Sequence, residues 1–575
     1  MNNPENTPGN TNGGPPPDYF VLRRVDFRSI FDFSRIFRAF RLSIEPPCLI
    51  TALLAILVIY TSGRTLDLFW GEQVLPGEID EFHSPIPGNY QQIVFDDKIN
   101  RQSSLYQLLM VNCPNTSADV LNAWSQSPET SYNVLRQAYE DKFHQAIAAE
   151  EFNYHSGQVS NSDLLDFRRQ QADQLLDDMQ ELRSTVGSGV FDAGLHYELD
   201  QFHALVDDTF SLVQSKPVSN SDLDSDAESP RSISLNLLPE NSDEVWRSSS
   251  ITGCLANMFI TAPTWLLTGA PPMLRFPADS SVHVFFRRCV YLLSVVLFLL
   301  MTIACIAITG AVVCRHVALR IADKDTNIIS TFRFALRWFG TFIKAPLLPF
   351  LTILGTGLFL MVLGLAGAVP FIGEIFVGVG FIIFLVGGAI IMLMVLGAIG
   401  GFSLIYPSVA VEGSDSFDAI SRSFSYVYAR PWRLLLYGIV ALVYGMLTWL
   451  FLSFALYVML AMTHLFLGWG MNFFGIVNGR YSGSGKLDTL WAAPTFDQLV
   501  GPINWWAMNW SESIGAMALY FWLFLVVSLL GAYMIAYFFS SSTIIYLLLR
   551  RHVDGQPMDE VYIETAEEKA PESTG

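Results

Sequence analysis

The chain has 575 residues, of which 51% are hydrophobic and 15% charged, with a net charge of −19. A soluble globular chain carries about 25% charged residues, so a wholly water-soluble protein is excluded. The imbalance is local: residues 64–288 hold 32 Asp and Glu against 14 Lys and Arg, a net −18, and a nucleic-acid backbone would be repelled by that block, which argues against nucleic acid as a partner.

Residues 1–18 are rich in Pro, Gly and Asn and are expected to be disordered. Residues 19–44 carry Arg23, Arg24, Arg28, Arg35, Arg38 and Arg41 between aromatic residues, the pattern of a basic amphipathic helix lying on a membrane surface. Six apolar runs follow, at 45–63, 289–313, 346–368, 374–401, 434–463 and 515–548. Each meets or approaches the ~20 residues that cross a bilayer core. The first has no small-residue cleavage site behind it and is read as a signal anchor that stays in the chain.

Between the first two runs lies an acidic block whose first part, 64–215, reads as helical. Val134, Leu135, Tyr139, Phe143 and Ile147 recur at helical spacing, as do Leu164, Leu165, Phe167, Leu175, Leu176 and Met179. A third such segment, 192–215, carries Leu195, Leu199, Phe202, Leu205, Val206 and Phe210. Three amphipathic helices can bury one another as a coiled-coil-like bundle. Residues 216–245 are Ser- and Asp-rich and are expected to be a disordered linker. Residues 246–288 form a membrane-proximal segment. Its part 251–270 has no charged residue, but Pro263 and its polar content favour packing on the bundle or lying on the surface over crossing.

Charge sets the orientation. Residues 1–47, 314–344, 402–433 and 549–575 carry 6, 6, 3 and 3 Lys or Arg, against 2 in the loop 464–514 and none in the turn 369–373. The positive-inside rule then places both termini in the cytoplasm and the acidic block outside, with the bacterial inner membrane as the location. The expected fold is an all-α integral membrane protein of about six transmembrane helices, with a helical extracytoplasmic domain inserted after the first, a five-helix membrane domain over 289–548 and an acidic tail over 549–575.

The cytoplasmic elements repeat a pattern. VLRRVD (21–26), ALRIAD (318–323) and SVAVEG (408–413) each precede an aromatic-basic stretch, then Pro46, Pro346 or Pro431, then a span; LRRHVD (549–554) ends the series. The chain is read as three degenerate units, each an interfacial helix followed by a membrane hairpin. The most informative stretch is 412–433, EGSDSFDAISRSFSYVYARPWR. Asp415 or Ser416 is placed to cap a helix, and Phe417, Ile420, Phe424 and Tyr428 make its apolar stripe. Glu412, Asp415, Asp418, Arg422, Arg430, Trp432 and Arg433 are the candidate site for an anionic lipid headgroup or a protein partner.

That stretch resembles a group of bacterial multi-pass membrane proteins with no assigned function, over 289–562. More distantly, Pro407, Glu412, Gly413, Ala419, Arg422 and Ser423 look like an element of the membrane domain attached to some glycerophosphodiester phosphodiesterases. That domain is not the catalytic one, so the resemblance implies membrane architecture and no activity.

Catalytic patterns are not apparent. The nine histidines are scattered, with no H-E-x-x-H, and the six cysteines have no metal-type spacing. Cys113 and Cys254 could pair outside the cell or stand as free thiols. The stretch SGSGK (482–486) lacks the earlier glycine and the Ser or Thr of a phosphate loop. No cofactor or metal site is expected. Gly364-x-x-x-Ala368, Gly397-x-x-x-Gly401 and Gly378-Val-Gly380 are expected to let helices approach closely within the chain. The leading expectation is a non-enzymatic envelope anchor whose outer domain binds a protein partner through the acidic face of 163–208. The alternative is a permease-like component for an apolar or uncharged solute, or a membrane-embedded lipid-handling protein.

Overall fold

The structure, a computed structural model, describes residues 32–562 apart from 71–72, 75–77, 83–88, 214–260, 262–263, 270–281, 325–326, 366, 368–371, 478–485, 497 and 502. The expected tail 1–18, the opening 21–26, the linker 216–245, Cys254, most of 251–270 and the SGSG stretch 482–485 lie outside the described residues.

A 3-10 turn, Asp32–Phe37, leads into α1 (Arg38–Ser43) and the first long helix, α2 (Pro46–Trp70). A bundle follows: α3 (Asn89–Asn112), α4 (Ala118–Ser125), α5 (Pro128–His155) and α6 (Asn161–Val186), then α7 (Val190–Val213). The second half comprises α8 (Val282–Ile321), α9 (Ile328–Arg337), α10 (Phe339–Leu365), α11 (Ile372–Glu412), α12 (Ser416–Ala429), α13 (Pro431–Val477) and α14 (Trp510–Val553). Six of these, α2, α8, α10, α11, α13 and α14, are long and apolar enough to cross a membrane. The helices outrun the apolar stretches of the sequence. α8 continues through Arg315, His316 and Arg320, α11 runs to Glu412, and α14 runs through Arg550 and Arg551.

The same succession occurs three times: a short helix, an outgoing span and a return span. The hairpins α2/α8, α10/α11 and α13/α14 pack internally, and each return helix (α8, α11, α14) packs on the other two. The short helices close a ring: α9 packs on α8, α12 on α11, and α1 on α14. The short helices start for local reasons. Asn327 caps α9 by accepting from the Ile329 amide, and Asp415 caps α12 by accepting from the Asp418 amide at 2.9 Å.

Burial concentrates at one end of this ring, here the core end. Residues 311–319 of α8, 404–411 of α11 and 539–550 of α14 are continuously buried, apart from small variations in side-chain exposure below one-tenth. Cys314, Leu404, Val409, Ala419, Tyr426 and Tyr546 meet there in one apolar cluster with Ile36 and Ala39. The most apolar stretches of the spans are mostly exposed by contrast, with only 6% of those in α10 and α11 buried. The glycines follow the same division. Gly397 and Gly401 lie under Phe424 of α12, where an added Cβ would approach the ring to 2.7 and 3.2 Å. Gly364, Gly378 and Gly380 face open space, contrary to the packing role expected of them, because the α10/α11 hairpin stands clear of the other spans at its far end.

The bundle formed by α3–α6 differs from expectation in membership. Leu105 and Leu109 of α3, Leu121 of α4, Leu135, Phe143 and Ile147 of α5, and Leu175, Met179 and Leu182 of α6 form one core. Each such side chain contributes about 1.5–3 kcal/mol when fully buried. The third expected member, 192–215, leaves this bundle as α7 and packs on the spans. Its start is held by α2: Asp67 accepts from the amides of Phe191 (2.7 Å) and Asp192 (3.0 Å), and Arg64 pairs with Asp192 at 3.0 Å. A carboxylate is favoured at a helix N-terminus. A two-residue antiparallel pairing, β1 (Gln73–Val74) with β2 (Ser188–Gly189), fixes the turn before it. Phe191 covers Gly63 of α2 and stands edge-on to Phe298 of α8. Phe202 stands edge-on to Trp449, near the middle of α13. The aromatic residues Phe191 and Phe202 of α7 therefore find aromatic partners on the spans. Trp265, in the membrane-proximal segment, is fully buried against Val190, Tyr197 and Tyr291. Cys113 is a free thiol.

Glu198 sits one turn before Phe202 on α7, and burial pushes its carboxyl up to about 7 from 4.5. The folded chain holds a proton there that the unfolded chain has released, so stability falls as pH rises from about 5 to about 7. Glu198→Gln should leave the thermal midpoint in detergent unchanged near pH 4.5 and raise it at pH 8. An equal shift at both pH values would contradict the assignment.

Candidate functional site

The candidate residues divide into two groups. Glu412, the last residue of α11, lies inside a network of polar groups at the core end. Its carboxylate pairs with Arg550 of α14 at 2.9 Å and with Arg422 of α12 at 3.6 Å, and accepts from the Tyr546 hydroxyl at 3.2 Å. Arg422 also binds Asp418 at 3.0 Å, one turn earlier on its own helix. Asp415 is occupied as the cap of α12. Arg430, Trp432 and Arg433 are exposed at the start of α13, Trp432 to 80%, and the Arg433 side chain is hydrogen-bonded to Tyr437.

Two sequence expectations change here. Arg422, placed among headgroups from the sequence, is bound to Glu412 and Asp418, because α12 lies flat on α11 and turns it toward the helix end. The apolar stripe also differs. Ala419, Ile420, Ser423, Phe424, Tyr426 and Val427 are buried, whereas Phe417 is 76% exposed and Tyr428 44%. Ser423 can occupy the buried face because its hydroxyl donates to Ala419 O at 2.8 Å.

Further polar residues belong to the same network. Arg315 of α8, only 5% exposed, donates to Ala410 O at 2.8 Å and to Tyr562 O at 2.7 Å, and stacks over Phe334 at 4.4 Å. Arg550, 3% exposed, donates to Glu560 O at 2.7 Å. The chain after α14 is thus a strap across the return helices rather than a loose acidic tail, over its described part. Its Tyr562 amide donates to Val411 O at 2.9 Å, and Lys324 donates to Val561 O at 3.4 Å. Gly413 is needed at the crossing: its φ is +63°, and an added Cβ would meet the Tyr562 ring. Tyr426 donates to Asp554, and burial, with that carboxylate, pushes its phenol above the ordinary value.

A second ionic cluster ties the first unit in. Glu45, just before α2, binds His316 at 2.7 Å and Arg320 at 3.1 Å. Burial raises its pKa, but the hydrogen bonds from His316 and Arg320 outweigh that and hold it below the ordinary carboxylate value. Asp32 binds His552 at 3.0 Å and Arg551 at 3.7 Å, which joins the start of the described chain to the end of α14. Arg315, Arg550 and Glu45 were counted in the sequence only as topology signals or flanks. The available clue was that two of these arginines directly continue an apolar run.

Chemically, these groups neutralise one another. Their hydrogen bonds run between side chains and helix-end carbonyls, which suits a latch more than a reaction centre. Among the described residues no three His, Cys, Asp or Glu are placed to hold a metal ion. No family model, curated protein or solved structure matches the chain.

Glu412→Gln should leave the buried Arg550 short of its counter-charge and cost about 3–5 kcal/mol, read as a lowered thermal midpoint in detergent. Arg422→Ala, at a side chain 37% exposed, should cost less than about 1 kcal/mol. The double variant Glu412→Leu/Arg550→Leu should recover much of the first loss, since it leaves no unpaired charge.

Proposed function

We propose that this chain is a non-enzymatic anchor of the bacterial inner membrane that holds a helical domain on the outer face for a protein partner. The observation that supports this reading most directly is that the bundle is fastened to the spans at two separate places. One is α7, through Asp67 and Arg64. The other is the connection between α13 and α14, where Asn504 donates to Asp173 of α6 at 3.0 Å and Trp506 donates to Glu140 of α5 at 3.2 Å. A domain fixed at two points is presented in one orientation, which lowers the ordering cost of association.

The contact face is on α6, where Asp163, Asp166, Asp177 and Glu181 are exposed. Asp192 and Glu198, included in the acidic face from the sequence, belong to α7 and its junction with α2 instead. The partner presents a basic surface, and its association weakens with salt. At the core end, exposed arginines stand before each outgoing span: Arg38 and Arg41, Arg333, then Arg430 and Arg433. They face anionic headgroups of the cytoplasmic leaflet, with both termini on that side.

Orientation is tested in a chain whose own cysteines are replaced. Asn220→Cys should react with an impermeant thiol reagent on intact spheroplasts, and Asp415→Cys should not; the reverse sinks the topology. For function, a photo-reactive residue at Asp177 should give one protein adduct in native membranes, lost when Asp163, Asp166 and Glu181 become Asn, Asn and Gln. Adducts that survive those changes, or none, would overturn the reading.

A further inference from the structure

The three seams of the ring are not alike. Two are filled by helix packing, with α2 against α14 and α10 against α8, in each case an outgoing span against the return helix of another unit. At the third, α13 parts from α11, and a cavity of about 330 Å³ lies between them. That volume falls at the lower end of the about 300–1,000 Å³ of small-molecule sites.

The shape and chemistry of the cavity restrict its occupant. Gly438, Ala441 and Gly445 of α13 and Tyr533 and Tyr537 of α14, which touch one another, form its floor, and Ser403 is the α11 residue in its lining. The hydroxyls of Tyr533, Tyr537 and Ser541 in the lining are already engaged. Tyr533 donates to Thr448 at 2.6 Å, Tyr537 to Ala441 O at 2.7 Å, and Ser541 to Phe538 O at 3.1 Å. Ser403 and Ser542 add two hydroxyls to a lining that is otherwise apolar, so an occupant is held mainly by apolar contact. The lining extends along α13 from Gly438 to Trp449 and along α14 from Tyr533 to Ile545, about 16–18 Å at the rise of a helix. Its side is open: Leu442 is 43% exposed and Phe538 44%, both on helices that cross the bilayer. Its far end is closed by Phe202 of α7, set against Trp449. Exposed Arg430 and Arg433 lie at the other end, Arg433 being five residues before Gly438, or about 8 Å along the helix.

We propose that this seam holds one acyl chain of a bilayer phospholipid, which enters sideways from the leaflet at the core end, with its phosphate at the level of Arg433 and its tip stopped by Phe202. The chain supplies the contact that α10 and α2 supply at the other two seams. Phospholipid, rather than a free fatty acid, is the source, because the opening faces the bilayer interior and the arginines stand at headgroup level. The proposal does not depend on the partner-binding reading.

The test uses the full chain in bilayer nanodiscs carrying a trace of phospholipid with a diazirine midway along one acyl chain, and in parallel a diazirine fatty acid. After irradiation, adducts are mapped by mass spectrometry. The phospholipid should label Met446 and Met534, both in the lining. Gly438→Phe adds a side chain at the cavity lining, where an added Cβ meets nothing within 4 Å. It should reduce that labelling about tenfold, the effect of overfilling a site, while labelling of exposed Leu358 on α10 stays unchanged. If Gly438→Phe is not monodisperse, Ser403→Leu fills the cavity from α11 and should do the same. Wall labelling that is absent, that persists in a well-folded filled variant, or that comes only from the fatty acid overturns the proposal.

Discussion

A guanidinium buried in a low-dielectric interior is tolerable only if most of its donors are met. Arg315 sets that requirement at the centre of this molecule. Its donors reach Ala410 at the end of a different return helix and Tyr562 in the strap that follows the third. One side chain thereby binds all three units, and the others close around it: Glu412 on Arg550, Glu45 on His316 and Arg320, Asp32 on His552. The strap is part of this arrangement, because its backbone carbonyls complete Arg315 and Arg550. The positive φ of Gly413 follows in turn, since the strap passes over it.

The position of the core, at one end of the spans rather than along them, has a solvent explanation. Inside a bilayer, lipid tails are as apolar as leucine and give helices little reason to associate. At the core end, water would reach the same side chains, so burial there gains the full hydrophobic contribution. The return helices accordingly continue past the bilayer and pack tightly where they leave it, while α10 and α11 remain largely exposed across their most apolar stretches. The α12 helix, with Phe424 laid over Gly397 and Gly401, seals one side of that packed end.

Hydropathy and charge made the membrane class, the six spans and the short helices legible, because length, Pro46, Pro431 and the Asp415 cap are local signals; Pro346, expected to precede a span, lies inside α10, which starts at Phe339. The face of each short helix was less so. Phe417 fits an apolar stripe by period, yet it is exposed, because α12 lies on α11 through Ala419, Ser423 and Val427 instead. Small residues that allow close approach leave a weak hydropathy signal. The pairing of Arg422 was not legible for a related reason: its partner Glu412 is near in sequence, but whether the pair forms depends on how two helices cross. Arg315 and Arg550 looked like topology markers, since a place at the end of an apolar run is shared by arginines that face phosphate and arginines that meet the carbonyls of a distant helix.

The departure of α7 from the outer bundle carries a consequence for symmetry. Three equivalent units arranged in a ring could fill their seams identically. The first unit, however, carries a long insertion between its two spans, and that insertion sends a helix back among them. Phe191 occupies the space beside Gly63, and Phe202 reaches Trp449 on α13 of the third unit. A helix wedged at that depth meets α13 on the face where it would otherwise close on α11. The gap at the third seam and the insertion in the first unit are thus two aspects of one packing solution. The same helix that fastens the bundle to the spans also lies beside the room between two of them, and it closes that room at one end.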